Sequence, residues 1–372
     1  MIDGIFVIDA VAHAYDFSDG NRIATCEPER YAGLQQFAYQ LGHFATESQE
    51  PGYLLTQDEF TARWRAEDLA NVFFVESDVD MVVHHSVAIS SFSRDGVARW
   101  DTGVELQRIA PGRVLLYGCV DTFDEDRGRV FASMERMVDE GAAGFKFYPS
   151  NGFFDVSKHK LVQMLYDDPE RAFPFFEKAR ELGVKHLAFH KAQPVGPGPV
   201  DAVHYEDIST AALAFPDMTF EVVHAGWAFL EEAGIQLMLH DNIYANLECV
   251  VNLVVRHPRR FAHIIGTLLR YGGPDRILYA TGCAVNHAGP ILKRFMAFEM
   301  PEDLVDGYGY PELTLDVKRR MLGANIARIH GIDIPGAIDR TGSDRWSELR
   351  SRGKAPPWSA HRKSLARARA AS

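Results

Sequence analysis

The chain has few cysteines, and their spacing excludes a fold held together by disulfides. The four residues, Cys26, Cys119, Cys249 and Cys283, are scattered and form no CxxC pair, which suits a reducing compartment. No apolar run reaches the roughly 18 residues that a membrane span needs. The first residues also lack the basic region of a secretory signal. We therefore expect a cytoplasmic protein with no membrane partner.

Positive charge is also scarce. The formal net charge is −12, which argues against a nucleic-acid-binding surface. The exception is the C-terminus, because residues 351–372 contain six lysines and arginines, no acid and the pair Pro356-Pro357. We interpret this basic tail as a solvated segment or as an arm that lies on a neighbouring subunit. We expect a homodimer.

No GxGxxG motif follows any strand-like segment, so a dinucleotide-binding open sheet has no support. The sequence instead alternates strand-like and helix-like segments, which indicates a parallel sheet. The eight predicted strands are 5–13, 78–87, 113–121, 142–150, 184–191, 218–226, 242–251 and 275–283. Eight such units predict a distorted (β/α)8 TIM barrel, and an apolar content of 47% is enough for its core.

The predicted barrel domain covers residues 1–335. Residues 14–77 form a long insertion after the first strand, with helix-like stretches at 28–42 and 57–70, and predict a helical cap over the barrel mouth. Residues 150–168 predict a second long loop, and residues 336–372 a C-terminal extension.

Five side chains that can carry chemistry stand at the ends of predicted strands. They are His13, Lys146, His190, His224 and Cys283. Barrel enzymes build their active sites at the carboxyl ends of the strands, so we expect these side chains to gather around one cavity that binds a small-molecule substrate.

These residues resemble the amidohydrolase-related group of the amidohydrolase superfamily, which includes aminocarboxymuconate-semialdehyde decarboxylase and the aromatic-acid decarboxylases. The resemblance spans about residues 5–332. It rests on Asp9 and His13, GFKFYP around Lys146, His190, His224 followed by Gly226, and LGANIARIHGI near the end of the barrel.

The resemblance implies a divalent metal, zinc or manganese, at the barrel mouth. By position, His13 and His190 correspond to metal ligands of the family, and His224 corresponds to its general acid or base. Two usual ligand positions are substituted, because Val11 stands where the first ligand belongs and Gly282 where the eighth-strand Asp belongs. A catalytic zinc site normally needs three protein ligands.

Four alternatives follow from these substitutions. Cys283 can supply a thiolate that completes a set with His13 and His190, or His224 can join as a ligand. Lys146 can be carbamylated and bridge a metal, as the corresponding lysine does in binuclear members of the superfamily. In the fourth alternative no metal binds, and acid–base chemistry operates alone.

Other roles also remain open at this point. Lys146 suits an anchor for a substrate carboxylate, or a salt bridge to Asp9 or Glu248. Cys283 is a candidate nucleophile or a small buried residue, and Glu248 a replacement ligand or a partner that orients a histidine. The candidate substrate-binding residues are Tyr148, Asn151, Trp227 and His287.

The function that the resemblance implies is hydrolysis or non-oxidative decarboxylation of a small carboxylate or carbonyl compound, with His224 as general acid or base. The missing Asp weakens the hydrolytic version, because that carboxylate usually activates the water across the superfamily. The alternatives are a metal-independent lyase or hydratase that uses His224, and a non-catalytic ligand-binding barrel.

Overall fold

The computed structural model describes residues 1–46, 51–155, 160–194 and 200–371. Ten strands lie in this part of the chain: β1 (Ile8–Ala12), β2 (Met81–His85), β3 (Val114–Gly118), β4 (Ala142–Phe147), β5 (Ser150–Asp155), β6 (Lys160–Gln163), β7 (His186–His190), β8 (Thr219–Val223), β9 (Ile243–Asn246) and β10 (Ile277–Leu278). All except β5 and β6 form one parallel sheet, in the order β1-β2-β3-β4-β7-β8-β9-β10.

The sheet closes on itself between β1 and the residues around β10. The N–H of Ala10 donates to the carbonyl oxygen of Tyr279 at 2.9 Å, and the N–H of His13 donates to that of Cys283 at 2.6 Å. The predicted (β/α)8 barrel is therefore confirmed. Every residue of β1 is buried, as expected for a strand that is covered on both faces.

Helices connect the strands and continue after the last one. They are α1 (Pro28–Thr46), α2 (Gln57–Thr61), α3 (Ala66–Phe74), α4 (Trp100–Ile109), α5 (Arg127–Asp139), α6 (Phe173–Glu181), α7 (Glu206–Ala214), α8 (Leu230–Leu239), α9 (Leu253–Arg256), α10 (Pro258–Gly272), α11 (Ala288–Ala297), α12 (Glu302–Tyr308), α13 (Leu315–Arg319), α14 (Asn325–His330), α15 (Ile334–Gly342), α16 (Arg345–Ser351) and α17 (Ser359–Ala371). Among the described residues, none of them combines the length and the apolar character needed to cross a membrane.

Local sequence explains how these helices begin, end and pack, as α10 illustrates. It begins at Pro258, whose fixed φ suits the first helical turn, and ends before Gly273, whose φ of 69° favours glycine. Phe261, Ile265 and Leu268 are buried and repeat at the spacing of one helix face. This face packs against the barrel, and Pro258 and Gly273 define where the helix begins and ends.

The segment 14–77 contains α1, α2 and α3. The expected single helix at 57–70 is wrong, because Ala62 is extended, with a ψ of 157°, and α3 starts anew after Arg65. The N–H of Arg65 donates to the carboxylate of Asp68 at 3.3 Å, which caps α3. Since α3 packs on β2 and α4, it belongs to the helices around the barrel. A cap formed by this segment stays a prediction.

Two further expectations differ from the structure. The predicted loop at 150–168 contains the antiparallel pair β5–β6, in which Ser150 lies opposite Gln163. The predicted domain boundary at residue 335 falls inside α15, and Ala337 of this helix packs into the barrel interior together with Ile326 of α14. These helices cover the amino-terminal end of the barrel.

The basic C-terminal segment is neither a solvated tail nor an arm on another subunit, because α17 packs on α2 and α3 of the same chain. Trp358 is 1% exposed and His361 is fully buried. The His361 ring stacks on Trp64 at a centroid distance of 3.8 Å. The basic segment therefore also contributes two buried aromatic side chains to the interior of the protein.

Candidate active site

The carboxyl ends of the barrel strands surround a cavity of about 120 Å³. His13 follows β1, His190 ends β7, His224 follows β8 and Glu248 follows β9, and all four line this cavity. They meet because parallel strands present their carboxyl ends at one rim. Most of the other described lining residues are aliphatic or aromatic, including Phe17, Leu34, Phe37, Phe60, Phe92 and Val285.

Glu248 lies at the centre of the polar side chains. Its Oε1 accepts a hydrogen bond from His13 Nε2 at 2.8 Å, and its Oε2 lies 3.6 Å from His224 Nε2 and 3.8 Å from Lys146 Nζ. Burial alone raises the pKa of this carboxyl, but the nearby His224, His13 and Lys146 outweigh burial and hold the pKa well below its usual value. Glu248 is therefore ionised, and its Oε2 has no hydrogen-bond partner among the described residues.

His224 presents an unprotonated nitrogen to this carboxylate. Its Nδ1 donates to the carbonyl oxygen of Glu248 at 3.0 Å, which fixes the tautomer and leaves the Nε2 lone pair free. Burial lowers the pKa of His224 to about 4, although Glu248 opposes this shift. At neutral pH the ring is therefore neutral and can accept a proton at Nε2.

His190 adds a second proton-accepting nitrogen. Its Nε2 donates to the carbonyl oxygen of Gln193 at 2.6 Å, and its buried Nδ1 has no partner among the described residues. Burial, followed by the charges of His224 and Lys146, lowers the pKa of His190 well below its usual value. The ring stacks on Tyr148 at 4.8 Å and meets His224 edge-on at 4.7 Å, so packing fixes its orientation.

His13 uses both of its ring nitrogens within the protein. Besides the contact with Glu248, its Nδ1 donates to the carbonyl oxygen of His85 at 2.9 Å. The ring of His85 stacks on Tyr117 at 4.6 Å inside the barrel, and burial lowers its pKa well below the usual value. His13 therefore holds Glu248 in place and offers no free nitrogen to a ligand.

Lys146 lies beneath the cavity floor and does not line the cavity. It is fully buried, its Nζ has no hydrogen-bond partner among the described residues, and the ammonium lies 5.4 Å from the centroid of the Tyr148 ring. This placement does not suit the predicted anchor for a substrate carboxylate. It supports the alternative of an ion pair with Glu248.

The amidohydrolase family matches residues 27–332, which is most of the chain. The chain belongs to this amidohydrolase family. The match identifies it as an enzyme of the amidohydrolase type. No curated protein matches this amidohydrolase by sequence.

Solved structures share the fold of this amidohydrolase. An uncharacterized TIM-barrel protein from Bordetella bronchiseptica is 17% identical, with 88% of this chain and 99% of that chain covered and a TM-score of 0.57. A candidate 2-pyrone-4,6-dicarboxylic acid hydrolase from Pseudomonas putida is 11% identical, with 88% and 98% covered and a TM-score of 0.53. A 5-carboxyvanillate decarboxylase from Novosphingobium aromaticivorans, complexed with manganese, is 13% identical, with 88% and 96% covered and a TM-score of 0.53. At these identities the likeness shows the fold.

The two substituted ligand positions of this amidohydrolase lie in different surroundings. Val11 packs in the barrel interior with Val83. A Cβ at Gly282 would lie 3.0 Å from Glu248 Cγ, 3.1 Å from Glu248 Oε1 and 3.0 Å from Cys249 Sγ. The Glu248 side chain therefore fills the space beside Gly282.

Cys283 does not line the cavity, although the end of its predicted strand lies at the same rim of the barrel. It is fully buried in the hydrophobic core. A nucleophilic or metal-binding role does not fit this placement. Cys249 lines the cavity instead. The only signal in the sequence was that Cys249 directly follows Glu248 within a predicted strand.

Three of the four predicted substrate-binding residues of this amidohydrolase lie outside the cavity lining. His287 Nε2 contacts Glu76 at 3.1 Å, and His287 Nδ1 accepts from the N–H of Gly289, which caps α11. Trp227 lies in a separate surface groove, and the carbonyl oxygen of Asn151 accepts a hydrogen bond from Ser91. Only Tyr148 of this group lines the cavity.

Proposed function

We propose that this amidohydrolase is a hydrolase in which His224 is the general base and Glu248 orients the attacking water. The observation that carries the proposal is the pair of proton acceptors His224 Nε2 and Glu248 Oε2, which lie 3.6 Å apart at the cavity floor. One water molecule has two O–H donors, so it can donate to both atoms at once. Neither atom has a hydrogen bond within the described residues, as expected when a water satisfies them.

The reaction follows from this placement. The water oxygen attacks the carbonyl carbon of an ester, lactone or amide while His224 Nε2 takes the water proton. The carbonyl oxygen becomes an oxyanion, and collapse of the tetrahedral intermediate expels the alcohol or amine, which takes the proton back from His224. Glu248 stabilises the imidazolium that forms in between, as the carboxylate of a catalytic triad does.

Two tyrosines are available to stabilise the oxyanion. Tyr15 and Tyr148 both line the cavity, and burial raises the pKa of each well above its usual value. Their hydroxyls therefore keep their protons and remain hydrogen-bond donors. Donors that are fixed before the reaction stabilise a developing charge most effectively.

Hydrolysis is better supported than decarboxylation for two reasons. Glu248 provides a carboxylate beside Gly282, which supports the hydrolytic version. In decarboxylation His224 would have to deliver a proton, but its pKa of about 4 keeps it neutral at pH 7.

A divalent metal fits this floor as an alternative arrangement, in which His224 Nε2 would be a ligand and would not act as the general base. The ligand atoms of His224, Glu248 and Cys249 all lie within 4.8 Å of one another, and this mixed set of nitrogen, oxygen and sulfur suits zinc better than manganese. The presence of manganese in the 5-carboxyvanillate decarboxylase supports a divalent ion in general. A bound ion would polarise the carbonyl or acidify a water. The ligand set differs from the predicted His13 and His190, because Glu248 and His85 occupy both nitrogens of His13.

The metal assignment predicts different behaviour for the two cysteines. Chelator-treated protein is titrated with cobalt(II), and a thiolate-to-cobalt charge-transfer band reports a bound Cys. We expect the Cys249→Ser variant to lose the band and to bind at least about tenfold more weakly, whereas Cys283→Ser should match the wild type. An unchanged band in Cys249→Ser would rule out this ligand set.

The proposed base is tested with His224→Asn on a panel of small esters, lactones and amides. We expect kcat/KM to fall about 10²- to 10³-fold, the usual contribution of a general base. His204→Asn is the matched control, because His204 pairs with Glu232 away from the cavity at 3.0 Å. Activity of His224→Asn within threefold of the wild type would refute the role of His224.

The pH profile gives a second readout of the same base. Because His224 must be neutral to accept a proton and its pKa is about 4, kcat/KM should stay level from pH 8 to pH 6. It should fall only as the pH drops through about 4. If the base were a histidine with an unshifted pKa, kcat/KM would fall near pH 6.5. Circular dichroism at each pH separates loss of the base from unfolding.

A further inference from the structure

Two residues at the cavity floor have a left-handed backbone. His224 has a φ of 63° and Cys249 a φ of 60°, and both line the cavity. Residues other than glycine rarely adopt this conformation, because the Cβ crowds the backbone. It persists only where the surrounding structure holds it, and it is concentrated at functional sites. The contacts that hold these two turns therefore decide where the side chains at the floor point.

Asn246, the last residue of β9, holds the chain beside both turns. Its carbonyl oxygen accepts a hydrogen bond from the N–H of Ala225 at 3.1 Å, one residue after His224. Its side-chain Oδ1 accepts from the N–H of Glu248 at 3.1 Å, one residue before Cys249. Because Asn246 is fully buried, water does not compete for either bond. One residue thus links the strand ends that carry the proposed base and the carboxylate beside it.

The other end of the Asn246 amide is fixed across the barrel. Its Nδ2 donates to Oε2 of Glu221 on β8 at 3.2 Å, and Oε1 of Glu221 accepts from the hydroxyl of Tyr117 on β3. The same hydroxyl lies 2.8 Å from Nε2 of His330 on α14. A local turn needs only the contact between Asn246 and Glu248. The further bonds come from two other strands and a helix, and they fix which way the amide faces.

We propose that Asn246 is a positioning residue that aims Glu248 and His224 through the two hydrogen bonds it accepts, and that Glu221 fixes the orientation of its amide. Asn246 does not line the cavity, so it acts through its neighbours and not on the substrate. The inference rests on the proposed function, because it assumes that the two aimed side chains react together. The same aim is required whether Glu248 orients a water or holds an ion, since either role needs the carboxylate at one place.

The test exchanges hydrogen-bond donors and acceptors at positions 221 and 246. Asn246→Leu and Asn246→Ala both remove the donor and the acceptor, the first with the shape of the side chain kept and the second without added bulk. The double variant Glu221→Gln/Asn246→Asp keeps both bonds, because the glutamine amide donates to the aspartate and the aspartate accepts from the N–H of Glu248. It also conserves the number of acids.

The matched control is Asn242→Leu. Asn242 directly precedes β9 at the opposite end of the strand, and its amide donates to three backbone carbonyl oxygens at 3.1–3.3 Å, those of Ala212, Phe215 and Met218. Its loss should lower stability in denaturant unfolding and leave kcat within about threefold of the wild type.

Two readouts are taken for every variant. The first is kcat and KM on the best substrate among the small esters, lactones and amides. We expect both single variants at Asn246 to lower kcat about 30- to 100-fold with KM within about threefold, because a small displacement of the reacting groups has an effect of this size. The double variant should stay within about fivefold of the wild type.

The second readout is hydrogen–deuterium exchange of residues 223–226 and 247–250, which reports the two turns without any reaction. We expect faster exchange in both segments for the single variants at Asn246 and wild-type exchange for the double variant. Wild-type kcat and exchange in the single variants would overturn the inference, and so would a double variant no better than they are or an equal loss of kcat in Asn242→Leu. If the wild type hydrolyses none of the substrates, the proposed function fails, and the exchange result alone decides the role of Asn246.

Discussion

Glutamine in place of Glu248 is expected to lower kcat/KM about 10⁴-fold, the largest effect of any single substitution at this site. The carboxylate touches three groups at once: it accepts from His13 at 2.8 Å and lies within 3.6–3.8 Å of His224 and Lys146. The amide keeps the shape but removes the charge that orients the water and stabilises protonated His224. The measurement is kcat/KM on the best substrate.

The same substitution is expected to lower the free energy of unfolding by about 3–5 kcal/mol, because Lys146 stays buried without its counter-charge. Denaturant unfolding measures this loss. A Glu248→Gln variant with nearly full activity and unchanged stability would contradict the central position of this carboxylate.

Moving the carboxylate from position 248 to position 282 tests whether Glu248 takes the role of the eighth-strand carboxylate. Gly282→Asp alone should be harmful, because its Cβ would meet Glu248 and Cys249 at 3.0 Å and its φ is 69°. In the background of Glu248→Ala that space is partly vacated, and aspartate tolerates a left-handed φ better than most residues. We expect the double variant to be at least about tenfold more active than Glu248→Ala, a coupling that independent sites do not show.

The barrel could be predicted because its signal is periodic and repeated. Each barrel strand is covered on both faces and reads as an apolar run, and a helix-like segment separates each from the next. The gathering of His13, Lys146, His190 and His224 follows from the same topology, since it requires only that each residue stands at a strand end.

The details of the site could not be predicted because they depend on which way a side chain points. Cys283 stands at a strand end, but the chain turns at Gly282, and the carbonyl of Cys283 then pairs with the N–H of His13 while its thiol enters the core. Cys249 and Cys283 both follow the end of a strand, but of the two only Cys249 lines the cavity. Likewise, a glycine at 282 and a glutamate at 248 read as unrelated until the distance between them is known.

For the C-terminal segment, the prediction made from amino-acid composition was wrong. Six basic residues in 351–372 predicted a solvated tail, but a helix needs only one apolar face to dock. His361 on α17 and Trp358 just before it supply the buried side chains, and acids on the barrel side pair with the positive charges. Arg362, for example, contacts Glu59 at 2.8 Å. A count of charges does not show where they point.

Alanine in place of Trp358 is therefore expected to lower the free energy of unfolding by about 3–5 kcal/mol, the usual cost of removing a buried tryptophan. The side chain is 1% exposed, its indole N–H donates to the carbonyl oxygen of Tyr53 at 2.7 Å, and it meets Trp64 edge-on at 5.3 Å. The ring also meets His287 edge-on at 4.7 Å, so its removal leaves a cavity among buried rings.

The control for this prediction lies on α17, the helix that begins directly after Trp358. Arg367 is exposed, and Arg367→Ala should change stability by no more than about 0.5 kcal/mol, so a general sensitivity of this segment to substitution is excluded as the cause. Urea unfolding of both variants and the wild type gives the comparison. If Trp358→Ala costs less than about 1 kcal/mol, α17 is only loosely attached to the barrel. A full loss shows that residues 358–371 are part of the cooperative fold, and that they hold in place the segment carrying Tyr53 and Phe60.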